Sequence, residues 1–191
     1  MSNSAKIIIV LTVITLFSGG VLALLDNFTA PKIKAHQEEV KNRALRAALP
    51  DNDRVQELTK GDYRFYAAYR DNEIVALAFE ASGGGYQSEL RLMVGVTPDF
   101  NTITGAVILE QVETPGLGTK IQEDPANKEN PGWFMGQFTG LRTEPEISYV
   151  KNEEPGNDHE VRAITGATIS SKAVVNILNE HIKKAEAAWN E

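Results

Sequence analysis

The run Thr165-Gly166-Ala167-Thr168-Ile169-Ser170-Ser171 carries the clearest chemical potential in this 191-residue chain. It directly precedes an apolar segment of helical period, so the amides of residues 167–171 would point out of a helix N-terminus. The positive end of the helix dipole lies there, and free amides with that field make a site for phosphate or another anion. Thr165, Thr168, Ser170 and Ser171 place four hydroxyls around it, and Ser170 or Ser171 can cap the helix. A hydroxyl-rich cap and an anion site both fit these residues. Two further glycine-bearing segments stand out, Gly83-Gly84-Gly85-Tyr86 and Glu113-Thr114-Pro115-Gly116-Leu117-Gly118-Thr119-Lys120. Each taken alone reads first as turn chemistry. None of the three is a GxxxxGK[ST] phosphate loop or a GxGxxG dinucleotide fingerprint. The chain has no Cys, which excludes a disulfide scaffold, a thiolate metal site, an iron–sulfur cluster and a cysteine nucleophile. His36, His159 and His181 lie too far apart to form a local metal motif.

Taken together, these segments carry a resemblance. ITGATISS, residues 164–171, resembles the S/T-G-A-T-x-S/T signature of the FMN-binding domain family. ETPGLGTK resembles a second signature of that family, in matching order and spacing, and GGGY before a strand resembles its first. With one N-terminal anchor and a domain of this size, the chain is similar to the G subunits of Rnf-type ion-translocating ferredoxin:NAD+ oxidoreductases. The C subunits of the Na+-translocating NADH:quinone reductases are a related group. The resemblance implies FMN held covalently through a phosphoester to Thr168, attached by a flavin transferase. It implies an electron carrier partnered by the other membrane subunits of such a complex, with its flavin domain on the extracytoplasmic side of the cell membrane. Thr165, Gly166, Ala167, Ser170 and Ser171 would surround the tether. Leu117 and the amides of Gly116, Gly118 and Thr119 would wall the flavin, with Thr114 on the same loop. Glu113 would bond the flavin or hold the loop, and Lys120 would lie near the phosphate. The family signature commonly has an acid six positions before the acceptor Thr. Here that position is Arg162, with Asp158 and Glu160 as the nearby carboxylates.

These segments need elements to position them. Ile7–Leu25 is a 19-residue uncharged run, about the length that crosses a ~30 Å hydrocarbon core. Its exit, Val21-Leu22-Ala23-Leu24-Leu25-Asp26, lacks a small-x-small cleavage pattern, which favours an uncleaved anchor over a signal peptide. Residues 31–49 predict a stalk helix opening at Pro31, with Ile33, Val40, Ala44 and Ala47 on one stripe. Strands are predicted at 64–70, 73–82, 89–97 and 102–111, with Gly83-Gly84-Gly85 interrupting them and a short strand at 147–150. Residues 113–140 read as irregular, and 152–159 as a solvated loop. From Ser170 to Trp189 the residues Val174, Ile177, Leu178, Ile182, Ala185 and Trp189 fall on one helical face. The expected fold is α+β: a mostly antiparallel sheet packed on a C-terminal helix, behind a transmembrane helix and a stalk helix. The expected division is an anchor at 1–30, a stalk at 31–50 and a flavin domain at 51–191.

Charge narrows the function further. The chain carries 19 Lys+Arg against 26 Asp+Glu, a formal charge of -7, and beyond Leu25 only Lys6 is lost, leaving about -8. Such a balance argues against nucleic-acid binding, which needs basic patches to displace counterions. Lys32, Lys34, Lys41 and Arg43 after the apolar run, against Lys6 before it, favour an outside N-terminus by counting. Long domains translocate largely regardless of charge, so counting alone does not fix the side. No general acid/base pair is evident, which suits a carrier better than a site of hydride transfer. A stand-alone flavin reductase with dissociable FMN and a flavin-free binding module are the other function classes; bound colour and its loss on denaturation separate them.

Overall fold

The computed structural model describes residues 2–191. Helix α1 spans Asn3–Ala48. Strands β1 (Arg54–Lys60), β2 (Tyr63–Arg70), β3 (Glu73–Gly84), β4 (Glu89–Val96) and β5 (Ile103–Glu110) follow. A 3-10 turn at Gly118–Ile121 and a one-turn helix α2 (Trp133–Gly136) lead to β6 (Ser148–Val150), β7 (Glu160–Arg162) and helix α3 (Thr168–Asn190). By contacts the chain divides into two compact units, Met1–Val40 and Lys41–Glu191.

In the first unit, the apolar residues of α1 are exposed, and the helix is long and apolar enough to cross a membrane. The helix expected to open at Pro31 is instead continuous with the apolar run, and Pro31 lies inside it. An interior proline removes one amide donor. Nearby, the Thr29 hydroxyl donates to the Leu25 carbonyl at 2.9 Å, so this polar side chain is satisfied within the helix itself.

In the second unit, β1–β5 form one sheet in sequential order, every pair antiparallel. The strands read as nearly unbroken apolar runs because both faces of the sheet are covered. Phe65, Leu77, Phe79, Leu92 and Val94 face the main core, which includes Val174, Ile177 and Leu178 of α3. Tyr66, Ala68, Ala76, Ala78 and Met93, at alternate positions along the same strands, face the other way, onto Ala44 and Ala48 of α1 and Leu49 just beyond it. Much of that second face is small, Ala68, Ala76, Ala78, Gly95 and Gly105, and at the two glycines backbone lies directly against it. A Cβ on Gly95 would sit 2.0 Å from the Ala48 carbonyl oxygen, and one on Gly105, its register partner on β5, 2.5 Å from the Ala47 oxygen. Thr104 donates its hydroxyl to the Ala48 oxygen at 2.6 Å, closing the end of the helix.

Three local expectations are revised. Gly83 and Gly84 do not interrupt β3; they pair with Leu90 and Glu89 of β4. Gly83 is small because Ile177 of α3 packs there, where a Cβ would come within 2.6 Å. The edge strand β1 and the three-residue β7, which pairs in parallel with β6, carry no strong apolar pattern. Finally, α3 starts at Thr168 with Ala167 as its cap residue, so Ser170 and Ser171 lie inside the first turn, buried, and cap nothing.

Candidate functional site

The three glycine-bearing segments meet at the N-terminus of α3. A cavity of about 350 Å³ is walled on one side by Gly166 to Ser170 and on the other by Thr114, Leu117 and Gly118, with Tyr86 completing it. None of its lining side chains is charged. Leu117, Ile169 and Tyr86 are 49%, 59% and 63% exposed, so large apolar surface stands open around Thr168. Gly166 adopts φ +83°, a left-handed conformation that glycine accepts without strain. That turn brings the chain past Leu117, whose Cδ2 lies 3.5 Å from where a Gly166 Cβ would be. The amides of Thr168 to Ser170 have no carbonyl a turn earlier to bond within the helix, so they are available to an anion. Those of Ala167 and Ser171, also expected to be free, bond the Ile164 and Ala167 carbonyls.

The meeting of the segments is organised by Glu113, which is 3% exposed. Its Oε1 accepts from the amides of Gln87 and Ser88 at 2.9 and 3.2 Å, and its Oε2 accepts from the Ser170 hydroxyl at 2.5 Å. Gly85 and Gly118 are glycines because of it: a Cβ at either would come 2.5 or 2.7 Å from the Glu113 carboxylate. Burial pushes this carboxyl up, but the Ser170 hydroxyl and the amides of Gln87, Ser88 and Tyr86 together outweigh it and hold Glu113 below the ordinary carboxylate range. Of the two roles open to Glu113 in the sequence, the structure displays the loop-holding one. The loop itself is closed by bonds from the Leu117 amide to the Thr114 carbonyl at 3.2 Å and from the Gly116 amide to the Thr119 hydroxyl at 3.0 Å. Thr114 donates to Gln87 Oε1 at 2.9 Å, tying the loop to the β3–β4 turn a second time.

Thr165 and Lys120 face a neighbouring cavity of about 430 Å³, shared with Asp124, Trp133, Asn152 and Arg162. Lys120 lies 3.6 Å from Asp124, and the Thr165 hydroxyl 3.3 Å from Asn152. Arg162 pairs with Glu154 and lies over the Trp133 ring, 5.2 Å from its centroid. Ser171 is occupied internally: its hydroxyl donates to the Ala167 carbonyl at 3.0 Å and accepts from the Ile164 amide at 3.0 Å, tightening the turn that presents Thr168. A larger cavity of about 510 Å³, bounded by Tyr63, Arg91 and His181, contains none of the residues predicted for the site. Its position between charged surface side chains makes it a solvated groove. Tyr86 and Ile169 join the site without having been expected from sequence. Their signal was available: Tyr86 ends the GGGY segment and Ile169 is a large apolar residue between Thr168 and Ser170.

Comparison with known proteins points in one direction. Residues 85–183 match the FMN-binding domain family. The chain is 30% identical over 174 residues to the G subunit of the proton-translocating ferredoxin:NAD+ oxidoreductase complex of Clostridium ljungdahlii, covering 91% of this chain and 87% of that one. It is 30% identical over 199 residues to the G subunit of the ion-translocating oxidoreductase complex of Methanosarcina acetivorans, covering 98% of each. Among solved structures, NqrC of Shewanella oneidensis superposes with a TM-score of 0.55 at 25% identity, covering 72% of this chain and 67% of that one.

Proposed function

Because the chain belongs to the FMN-binding domain family, we propose that it is a membrane-anchored flavoprotein that relays electrons as one subunit within an Rnf-type ion-translocating ferredoxin:NAD+ oxidoreductase complex. The observation that carries this reading is the convergence of three distant segments on one uncharged cavity with Thr168 in its wall. The cavity fits the group. Its volume of about 350 Å³ lies in the ~300–1,000 Å³ range of small-molecule sites, and it is apolar and open, as a planar ring system requires. The chemistry FMN brings when bound is reversible uptake and release of electrons.

This chain's residues hold and orient it. Thr168 Oγ1 is the attachment atom, through a phosphoester made by a flavin transferase. The first-turn amides of α3 and the helix dipole stabilise the phosphoester charge. Lys120 and Arg162 stand on the Thr165 side, each paired with a carboxylate, Asp124 and Glu154. Tyr86, Leu117 and Ile169 provide apolar contact to the ring. A tether keeps the flavin at an effective concentration of about millimolar or more, however scarce free FMN is. Residues 1–30 anchor the protein, the stalk that follows ends before Lys41, and 41–191 form the flavin domain, which lies on the extracytoplasmic side. The other subunits of the complex supply and remove the electrons.

The test is attachment. Full-length protein co-expressed with a flavin transferase should give a UV-fluorescent band on a denaturing gel and a mass increase on the Thr168 peptide. Thr168→Ala should abolish both, while Thr165→Ala, facing the neighbouring cavity, should keep at least part of the flavin. A fluorescent band from Thr168→Ala would refute Thr168 as the attachment point.

A further inference from the structure

A buried anion stands directly behind the cavity wall. Glu113 is 3% exposed, yet two residues that line the cavity touch it. Ser170 donates to its Oε2 at 2.5 Å, and the Gly118 backbone lies so close that a Cβ there would sit 2.7 Å from the same oxygen. Among the described residues, no basic side chain bonds the carboxylate. Its partners are a hydroxyl and backbone amides. It therefore keeps its full negative charge, satisfied by dipoles and not neutralised by a cation. Hydrogen bonds to the ionised form outweigh the effect of burial, so the group is ionised at neutral pH.

We propose that Glu113 is a positioning and electrostatic residue of the flavin site: its buried carboxylate lowers the reduction potential of the flavin held in the adjoining cavity. The inference rests on the FMN reading of that cavity. Reduction adds electrons that are not all matched by protons, so the reduced ring carries the more negative charge. A fixed anion one wall away, screened little by water, disfavours that form. Ser170 moderates the effect. Its hydroxyl points its proton at Oε2, so it withdraws part of the field that would otherwise reach the cavity. The two residues thus act on the potential in opposite directions, although both belong to one hydrogen-bonded unit.

That opposition separates an electrostatic role from a merely structural one. Flavinylated full-length protein in detergent is titrated spectroelectrochemically at pH 7 as wild type, Glu113→Gln and Ser170→Ala. Gln is isosteric: its carbonyl can accept from the Gln87 and Ser88 amides, and its amide can donate to Ser170 Oγ. Glu113→Gln should shift the reduction equilibrium toward the reduced flavin by about tenfold, roughly 30 mV for a two-electron couple. Ser170→Ala removes the hydroxyl partner while the Gln87 and Ser88 amides still hold the carboxylate, so it should shift the equilibrium the other way, by a smaller factor. Equal potentials for wild type and Glu113→Gln, with flavin still on Thr168, would overturn the inference and leave the FMN reading standing. Shifts of the same sign in both variants would also overturn it, because loosening the unit, and not its charge, would then set the potential. Should Glu113→Gln fail to fold, Ser170→Ala decides alone: a lowered potential supports the inference, and an unchanged or raised one refutes it. A wild-type protein without any flavin would refute the FMN reading itself.

Discussion

Glu113 stays charged while almost out of contact with water, and this links the site to the acid stability of the domain. Its carboxyl titrates below the ordinary range in the folded protein, because the Ser170 hydroxyl and the amides of the β3–β4 turn outweigh the effect of burial. A carboxyl depressed on folding adds stability that is fully present above its unfolded-state pKa, ~4.3, and is lost as pH falls through the lower folded value. Asp99, Asp124 and Glu160 are depressed as well, so the whole domain should weaken in acid. Comparing wild type with Glu113→Gln isolates the one group. Urea midpoints should favour wild type at pH 7, and the difference should shrink on going to about pH 3. A gap that stays constant with pH would show that the charge of Glu113 contributes nothing to the fold.

At the scale of elements, one face of the sheet takes the backbone of α1 at a pair of glycines, and the other takes the large side chains of the main core. Gly95 and Gly105 are paired across β4 and β5 beneath the last turn of α1, with no room for a methyl group. Gly95→Ala should therefore cost about 1–3 kcal/mol, read as a lowered urea midpoint. Gly84→Ala, with nothing within 4 Å of the added Cβ, should stay close to wild type. Equal midpoints for the two variants would show that α1 does not press on the sheet. Much of this layer is legible in the sequence. The long apolar runs at 64–70, 73–82, 89–97 and 102–111 mark β2 to β5, because a strand covered on both faces has no polar alternation to hide it. β1 is invisible there for the opposite reason: it is an edge strand, mostly exposed, with no apolar pattern. Gly83 and Gly84 read as breakers because local sequence does not show Ile177 packing on them from α3. Ser170 and Ser171 read as caps because hydroxyls are common there, while their real partners, Glu113 and the turn before α3, become neighbours only on folding. The candidate site is thus visible in sequence as three segments, and its organising centre is not.

For the molecule as a whole, the apolar helix and the flavin domain assign it to a membrane surface, and the side is open to direct test. Protease added to intact cells, or to spheroplasts where an outer membrane is present, should digest residues 51–191 and leave a short N-terminal fragment. Digestion only in inverted vesicles would place the domain on the cytoplasmic side. Such experiments, and any water-soluble version of the domain, meet one constraint from the end of α1. Lys41–Glu191 form one compact unit, and Ala44, Ala48 and Leu49 cover Tyr66, Ala68, Ala76, Ala78 and Met93. The natural severing point is therefore upstream of Lys41, not at the visible end of the helix near Pro50. Cutting at Pro50 would strip the back of the sheet, uncovering an apolar face that invites self-association. The tail of the membrane helix is thus also a shingle on the domain it carries, and a shortened protein keeps its roof only if that last turn stays on.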